Sequence, residues 1–266
     1  MKKLRILLLL AIVLLTWCFR SELQFLISHL LKTDTPQPDE TATQTAETYA
    51  PIPKGVYSDS YTDPELERTI EYHMYIPENA TENMPLIVYL HGLGAAGANR
   101  LNEHNPLITK ALEVYGEDYP FLILAPSSMT HKTWISKQMP ERVKSLVDYI
   151  AELYNVDRSK IIITGHSMGA NGVFRQIELY GNFYSAAIPI SAPDTSIIQL
   201  DNCLDVPIWG FAGSKEYPCD YKMHSLFSKM EEMEGNVKFT ILEGVKHGDT
   251  ANQSFLYDVF EWALAQ

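Results

Sequence analysis

The sequence lacks what several classes of binding protein need. Lysine and arginine number 21 against 33 aspartates and glutamates, which gives a formal net charge of -12. Proteins that bind nucleic acid neutralise phosphates with a basic surface, so this balance argues against a nucleic-acid partner. His-x-x-x-His and Cys-x-x-Cys spacings are absent, as is a Gly-rich phosphate loop. We therefore predict that the protein needs no metal ion and no other cofactor.

Cysteine is also scarce, with three residues in the chain. Cys203 and Cys219 flank the apolar run from Pro207 to Phe211, which we predict to be a strand. They should therefore lie beyond opposite ends of that strand, farther apart than the ~7 Å between Cα atoms that a disulfide tolerates. We expect both thiols to be free.

A long hydrophobic run is missing as well. The uncharged apolar run from Ile6 to Phe19 is shorter than the ~20 residues that span a bilayer. It follows Lys2, Lys3 and Arg5, a layout typical of a secretory signal or a membrane anchor. The residues from Trp17 to Arg20 lack the small side chains of a cleavage site, which favours an uncleaved anchor and leaves a cleaved signal as the alternative.

Two further segments precede the predicted folded domain. An apolar helical stripe continues the predicted anchor to residue 31, and the Thr-, Pro- and Glu-rich stretch after it has too few apolar residues to order itself. We predict a signal anchor with an amphipathic segment over 1–31, a flexible linker over 32–55 and a folded domain over 56–266. An uncleaved anchor would hold that domain on the membrane outside the cytoplasm, and a cleaved signal would release it by secretion.

The segment over 56–266 alternates between predicted strands and helices. Residues 70–76 alternate between core-facing and outward-facing side chains, which is typical of a half-buried strand. Continuous apolar runs predict strands buried on both faces of a parallel sheet, at 86–90, 121–125, 161–164, 186–190, 207–211 and 237–242. Helical patterns separate the later runs, at about 138–154, 168–180, 221–234 and 251–265. This order predicts an α/β fold with a mostly parallel, doubly wound sheet and helices on both faces.

The motif Gly165-His166-Ser167-Met168-Gly169 lies between a predicted buried strand and a predicted helix. In that context a Gly-x-Ser-x-Gly pattern indicates a sharp turn that lifts the serine hydroxyl above the carboxyl end of the sheet. The glycines are needed where the turn crowds the backbone. Ser167 is therefore the predicted nucleophile, and residues 56–266 are the predicted catalytic domain.

From about residue 66 onward the chain resembles the α/β-hydrolases, in particular secreted esterases and predicted peptidases related to polyhydroxybutyrate depolymerases and feruloyl esterases. The resemblance rests on several motifs in order: Leu90-His91-Gly92-Leu93-Gly94, Leu124-Ala125-Pro126 followed by Trp134, Tyr154-Asn155-Val156-Asp157, the Ser167 motif, and Phe183 with Ala186-Ala187-Ile188-Pro189. It implies an α/β-hydrolase fold in which the Leu93 and Met168 amides form the oxyanion hole. His91 is then expected to pin the loop before Leu93.

The same resemblance places the base and the acid. His247 follows the last predicted strand, where the family has its catalytic histidine. Glu216 stands in Gly213-Ser214-Lys215-Glu216, at the place of the family's acid, which is usually aspartate. Asp194 and Asp220 remain alternatives for that role.

The predicted reaction is hydrolysis of a small soluble or carbohydrate-linked carboxylic ester through an acyl-enzyme on Ser167. The chain between Ser191 and Val206 is too short for a large lid, which argues against a lipase. Trp134 is a candidate for lining the substrate pocket. A serine peptidase or amidase of the same fold and a non-catalytic binding protein are the alternatives. The oligomeric state is left open.

Overall fold

Eight strands form one mixed sheet in the computed structural model, which describes residues 54–93, 105–128, 133–196 and 198–266. Their order across the sheet is β1-β2-β4-β3-β5-β6-β7-β8. The strands are β1 (Gly55–Asp63), β2 (Arg68–Ile76), β3 (Leu86–Leu90), β4 (Leu122–Pro126), β5 (Ile161–His166), β6 (Ala186–Ile190), β7 (Ile208–Gly213) and β8 (Val237–Leu242).

The pairing explains why the core strands are almost continuously apolar. β1 pairs with β2, and β2 with β4, in antiparallel register, whereas β4, β3, β5, β6, β7 and β8 are parallel. All residues of β3, β4 and β6 are buried because helices cover both faces of the sheet. The α/β prediction and the strands predicted from residue 68 onward are confirmed.

Six helices are described: α1 (Pro106–Tyr115), α2 (Met139–Leu153), α3 (Met168–Tyr180), α4 (Cys219–Glu232), α5 (Thr250–Ser254) and α6 (Tyr257–Ala265). One face of the sheet packs against α2, α3 and α4 around Val143, Val173 and Met223. The other face packs against α1, α5 and α6 around residues such as Leu107 and Phe260. Each face therefore has its own hydrophobic core, as a doubly wound sheet requires.

Three elements differ from the sequence prediction. β1 was not predicted because it is a polar edge strand, paired on one side and mostly exposed, so hydropathy gives no strand pattern. The predictions also omitted α1, although Asn105 caps it through a bond from the Leu107 amide to its Oδ1 (3.0 Å) and a proline follows the cap. The helix predicted over 251–265 is broken before Tyr257, where Phe255 enters the core.

The predicted anchor over 1–31 lies outside the described residues, as does the predicted linker except for Lys54 and Gly55. No helix in the described part of the chain is both long enough and apolar enough to cross a bilayer.

Candidate active site

The turn between β5 and α3 holds Ser167 in a conformation that non-glycine residues rarely adopt. Its backbone has φ 56° and ψ -118°, and its amide donates to the Ile190 carbonyl (2.8 Å) at the end of neighbouring β6. Backbone strain of this kind is held only by a surrounding structure that fixes it. The hydroxyl of Ser167 is thereby presented at the carboxyl edge of the sheet.

Close backbone packing explains the two glycines of the motif. A Cβ on Gly169 would lie 1.8 Å from the Leu90 carbonyl oxygen, and one on Gly165 would lie 2.7 Å from the Gly169 carbonyl group. No side chain fits at either position without moving the backbone of β3 or α3. The steric reason inferred from the sequence is confirmed.

His247 begins a short 3-10 turn after β8 and faces the Ser167 hydroxyl. Its Nε2 lies 2.9 Å from Ser167 Oγ, and its Nδ1 lies 2.6 Å from Glu216 Oε2. The three side chains come from the ends of β5, β7 and β8, so they meet only after the sheet has assembled. The hydrogen-bonded chain from hydroxyl to imidazole to carboxylate can move a proton away from the serine.

The carboxylate of Glu216 is buried and fully engaged. Besides Nδ1 of His247, it accepts hydrogen bonds at Oε1 from the hydroxyl of Ser191 (2.7 Å) and the amide of Gly213 (2.5 Å). Burial alone raises the pKa of Glu216, but the bonds from His247, Ser191 and Gly213 outweigh it and hold the pKa below its ordinary value. The group is therefore ionised and fixed in orientation at neutral pH.

The two alternative acids lie elsewhere. The Asp194 carboxylate accepts bonds from the amide (3.0 Å) and hydroxyl (2.6 Å) of Ser196. Oδ1 of Asp220 is buried without a hydrogen-bond partner among the described residues. The structure thus brings Glu216, and neither aspartate, to the imidazole.

The environment of His247 favours its protonated form. Hydrogen bonding with the neighbouring Cys219 thiol and with the Glu216 carboxylate raises the pKa of His247 to about 9, against the opposing effect of burial. An imidazolium forms whenever the base takes a proton from Ser167. The arrangement therefore stabilises the charge that such a step would create.

Two backbone segments flank Ser167 where an oxyanion would lie. Met168 is the first residue of α3, and the first amides of a helix have no partner within it. A Cβ added to Gly92 would lie 3.5 Å from Cβ of Ser167, so the backbone next to Leu93 packs directly on the turn. Met168 therefore adjoins Ser167 in the chain, and Leu93 lines the same cleft as Ser167.

His91 supports that loop, as the sequence predicted. Its buried Nε2 accepts from the amide (3.0 Å) and lies 3.2 Å from the hydroxyl of Ser128, so Nδ1 carries the proton and donates to the Gly92 carbonyl (2.7 Å). Burial lowers the pKa of His91, which keeps it neutral.

The position of Trp134 corrects the prediction that it lines the substrate pocket. The side chain is 1% exposed, and its indole Nε1 donates to the His91 carbonyl (2.8 Å). It packs against Gly172 of α3, where an added Cβ would lie 2.5 Å from Cβ of Trp134. Trp134 therefore supports the loop from beneath.

The sequence analysis did not predict the roles of Ser191 and His166 in holding Glu216 and His247. Ser191, next to the end of β6, is fully buried against Glu216, a long-range contact without a local signal. His166 entered the sequence analysis only as part of the Ser167 motif, yet its Nε2 donates to the His247 backbone carbonyl (2.8 Å). Burial, with the neighbouring His247 charge, lowers the pKa of His166 to about 4. As a neutral residue it connects His247 to the turn that holds Ser167.

A cleft of about 430 Å³ opens over Ser167. Its described lining is Tyr89, Gly92, Leu93, Pro106, His166, Ser167, His247, Gly248, Ala251 and Asn252. The hydroxyl and the imidazole of the hydrogen-bonded chain both face this space. A ligand in the cleft would therefore contact the Ser167 hydroxyl directly.

Comparison with known proteins identifies a protein family that matches this chain. The profile of the dienelactone hydrolase family matches residues 124–259. Acetylxylan esterase A of Emericella nidulans is 26% identical over 130 residues, which are 45% of this chain and 41% of that protein. A bifunctional acetylxylan esterase/xylanase of Neocallimastix patriciarum is 25% identical over 128 residues, 47% of this chain and 18% of that protein. The chain spans less than half the length of these curated relatives.

Solved structures share the fold. A thermostable esterase superposes with a TM-score of 0.70 at 25% identity, covering 79% of this chain and 63% of that one. A ferulic acid esterase superposes with a TM-score of 0.65 at 16% identity, covering 79% and 97%. The predicted α/β-hydrolase fold and esterase-type resemblance are confirmed.

Proposed function

This chain belongs to the dienelactone hydrolase family, and we propose that it is a serine carboxylesterase that acts through an acyl-enzyme on Ser167. The observation that carries the proposal is the chain of hydrogen bonds from Ser167 Oγ to His247 (2.9 Å) and on to Glu216 (2.6 Å). Its esterase-type relatives support hydrolysis as the reaction class.

Acylation begins when Ser167 Oγ attacks the ester carbonyl and Nε2 of His247 takes the hydroxyl proton. The resulting imidazolium is stabilised by Glu216, whose own position depends on Ser191 and Gly213. The amides of Leu93 and Met168 donate to the tetrahedral oxyanion. His247 then gives its proton to the departing alcohol, and the acyl group remains on Ser167.

Deacylation repeats these roles with water. His247 takes a proton from a water molecule that attacks the acyl-enzyme, the same amides hold the second oxyanion, and the proton returns to Ser167 Oγ as the acid leaves. The base must remain unprotonated at Nε2 before each half-reaction.

The substrate proposed is a small soluble ester, including acyl groups carried on carbohydrate. The cleft of about 430 Å³ has an exposed Leu93 and Asn252 at its rim. Two relatives are named for acetylxylan esterase activity, which supports acetylated sugars as the first compounds to test.

A panel of p-nitrophenyl acetate, acetylated xylan, a feruloyl ester and an aminoacyl amide tests the proposal. We expect ester turnover that Ser167→Ala abolishes, with the amide hydrolysed far more slowly. Preference for the amide would support the peptidase alternative. No turnover of any compound by a folded wild-type protein would support the binding-protein alternative.

We also propose that residues 1–31 attach the catalytic domain to a membrane from outside the cytoplasm. The support is the apolar run from Ile6 to Phe19 after three basic residues. Expression of the full chain with a C-terminal tag, followed by membrane fractionation, tests it. A soluble product that lacks the first residues would show secretion after cleavage instead.

A further inference from the structure

Cys219 lies against the hydrogen-bonded chain, and the proposed reaction does not use it. It is the first residue of α4, and its amide donates to the Glu216 carbonyl (2.9 Å) across a tight turn. Its thiol is free, and the residue is buried. The turn therefore places the Cys219 sulfur close to the Glu216 carboxylate and the His247 imidazole.

The three side chains offer a set of donor atoms suited to a thiophilic cation. One donor atom from each of Glu216, Cys219 and His247 lies within 4.8 Å of the other two. This is the one such group of three among the residues that the structure describes. Sulfur, nitrogen and oxygen donors together are a ligand set typical of zinc, with water completing a tetrahedron.

The distances leave little rearrangement to be made. Zinc bonds of about 2.0–2.3 Å place tetrahedral donors roughly 3.3–3.6 Å apart. The widest separation between the three donor atoms is at most 4.8 Å, so it must shorten by about 1 Å. The distance between His247 Nδ1 and Glu216 Oε2 must increase slightly from 2.6 Å. Glu216 and Cys219 are already fixed in the interior, whereas the His247 side chain is 40% exposed and open to the cleft.

We propose that Glu216, Cys219 and His247 form an inhibitory Zn²⁺ site that overlaps the acid and the base. Zinc takes the Nδ1 lone pair of His247 and displaces the Nδ1 proton. From the imidazolium that proton goes to solvent, and in the neutral ring it moves to Nε2, so Nε2 carries a proton in either case. Cys219 also releases its thiol proton, so two protons leave per ion bound to the imidazolium form and one per ion bound to the neutral form. A protonated Nε2 cannot accept the proton of Ser167, so hydrolysis stops. The inhibition rests on the proposed function, whereas the binding does not.

Binding is tested apart from activity with Co²⁺, which reports a thiolate ligand through its near-ultraviolet charge-transfer absorption. The full chain, in a Cys18→Ala background and without reductant or chelator, should show this band at one equivalent. It should be absent from Cys219→Ala and present in Cys203→Ala, whose thiol is also free and buried. A band that survives Cys219→Ala, or no band in the parent protein, would overturn the site.

Inhibition is tested with Zn²⁺ on the hydrolysis of p-nitrophenyl acetate, each variant being normalised to its own rate. We expect micromolar Zn²⁺ to inhibit and EDTA to restore activity. Cys219→Ala and Cys219→Ser should each raise the half-inhibitory concentration about tenfold or more, since loss of even an outer-shell partner costs 10–100-fold in affinity. Equal sensitivity in parent and both variants would refute the proposal. Cobalt binding without inhibition would refute the overlap with the base.

Discussion

The two sides of Ser167 are built in different ways. On the acid–base side, Glu216 and Ser191 are buried side chains that meet across the ends of separate strands. On the oxyanion side, the side chain of Leu93 is 70% exposed and only its amide is proposed to act. Side-chain substitutions should therefore damage the first side, whereas the second should respond to loss of a backbone N–H.

The largest effect expected on the acid–base side follows Glu216→Gln. An amide in place of the carboxylate can donate to Nδ1, which fixes the imidazole in the tautomer that cannot accept the Ser167 proton. We expect kcat for p-nitrophenyl acetate to fall about 10⁴-fold, as for comparable triads.

Asp194→Asn and Asp220→Asn are the matched controls, because the hydrogen bonds and ion pair described for the His247 side chain involve Glu216 and neither aspartate. Their rates should remain close to wild type. A large loss in either variant, with Glu216→Gln nearly active, would assign the acid to the other residue.

Leu93→Pro tests the oxyanion side, since proline removes the amide proton. Loss of one oxyanion donor is expected to lower kcat about 10²–10³-fold. Leu93→Ala keeps the amide, and its loss of activity should be at least about tenfold smaller. Similar rates for the two variants, with melting temperatures like that of the wild type, would remove Leu93 from the oxyanion hole.

His166 connects the two sides through its bond to the His247 carbonyl. His166→Leu should lower kcat about 10- to 100-fold with KM little changed, because a small displacement of a base is costly. His166→Gln carries an N–H donor near the position of Nε2 and should recover most of that loss, whereas the shorter asparagine should not. Equal activity of the leucine and glutamine variants would limit His166 to a packing role.

Ser191→Ala removes one of the donors to the Glu216 carboxylate. Hydrogen bonds to charged groups contribute about 1.5–3 kcal/mol, so the free energy of unfolding should fall by that amount. If the poorer orientation of Glu216 also raises the activation free energy by about 1.4 kcal/mol, kcat falls about tenfold. Ser196→Ala, which removes the equivalent bond to Asp194, is the control and should leave kcat unchanged.

The pH dependence should show the smallest change. His247 accepts a proton only when Nε2 is free, so kcat/KM should rise with pH through the His247 pKa of about 9. Cys219→Ala removes the first cause of that raised pKa, and the rising limb should move to lower pH when both proteins are assayed with EDTA. If the rise of kcat/KM stays at the same pH in Cys219→Ala, then Cys219 does not raise the His247 pKa.

Local patterns predicted most of the fold because the buried parallel strands have few polar residues and the turn glycines sit in Gly-x-Ser-x-Gly. The polar strand β1 has no such pattern, since backbone pairing at the sheet edge stabilises it. Ser191 and the role of His166 depend on contacts between distant strand ends, which no local pattern encodes. The prediction that Trp134 lines the substrate pocket was wrong because the position of a tryptophan in the chain does not show whether its indole faces a cleft or the core.

The central claim is that Ser167 is the nucleophile, and labelling with a fluorophosphonate tests it most directly. After reaction and proteolysis, mass spectrometry should locate a single adduct on the peptide that contains Ser167, with no adduct in the Ser167→Ala variant. Prior incubation with an ester substrate should slow the labelling. An adduct on another residue, or undiminished labelling of Ser167→Ala, would contradict the account.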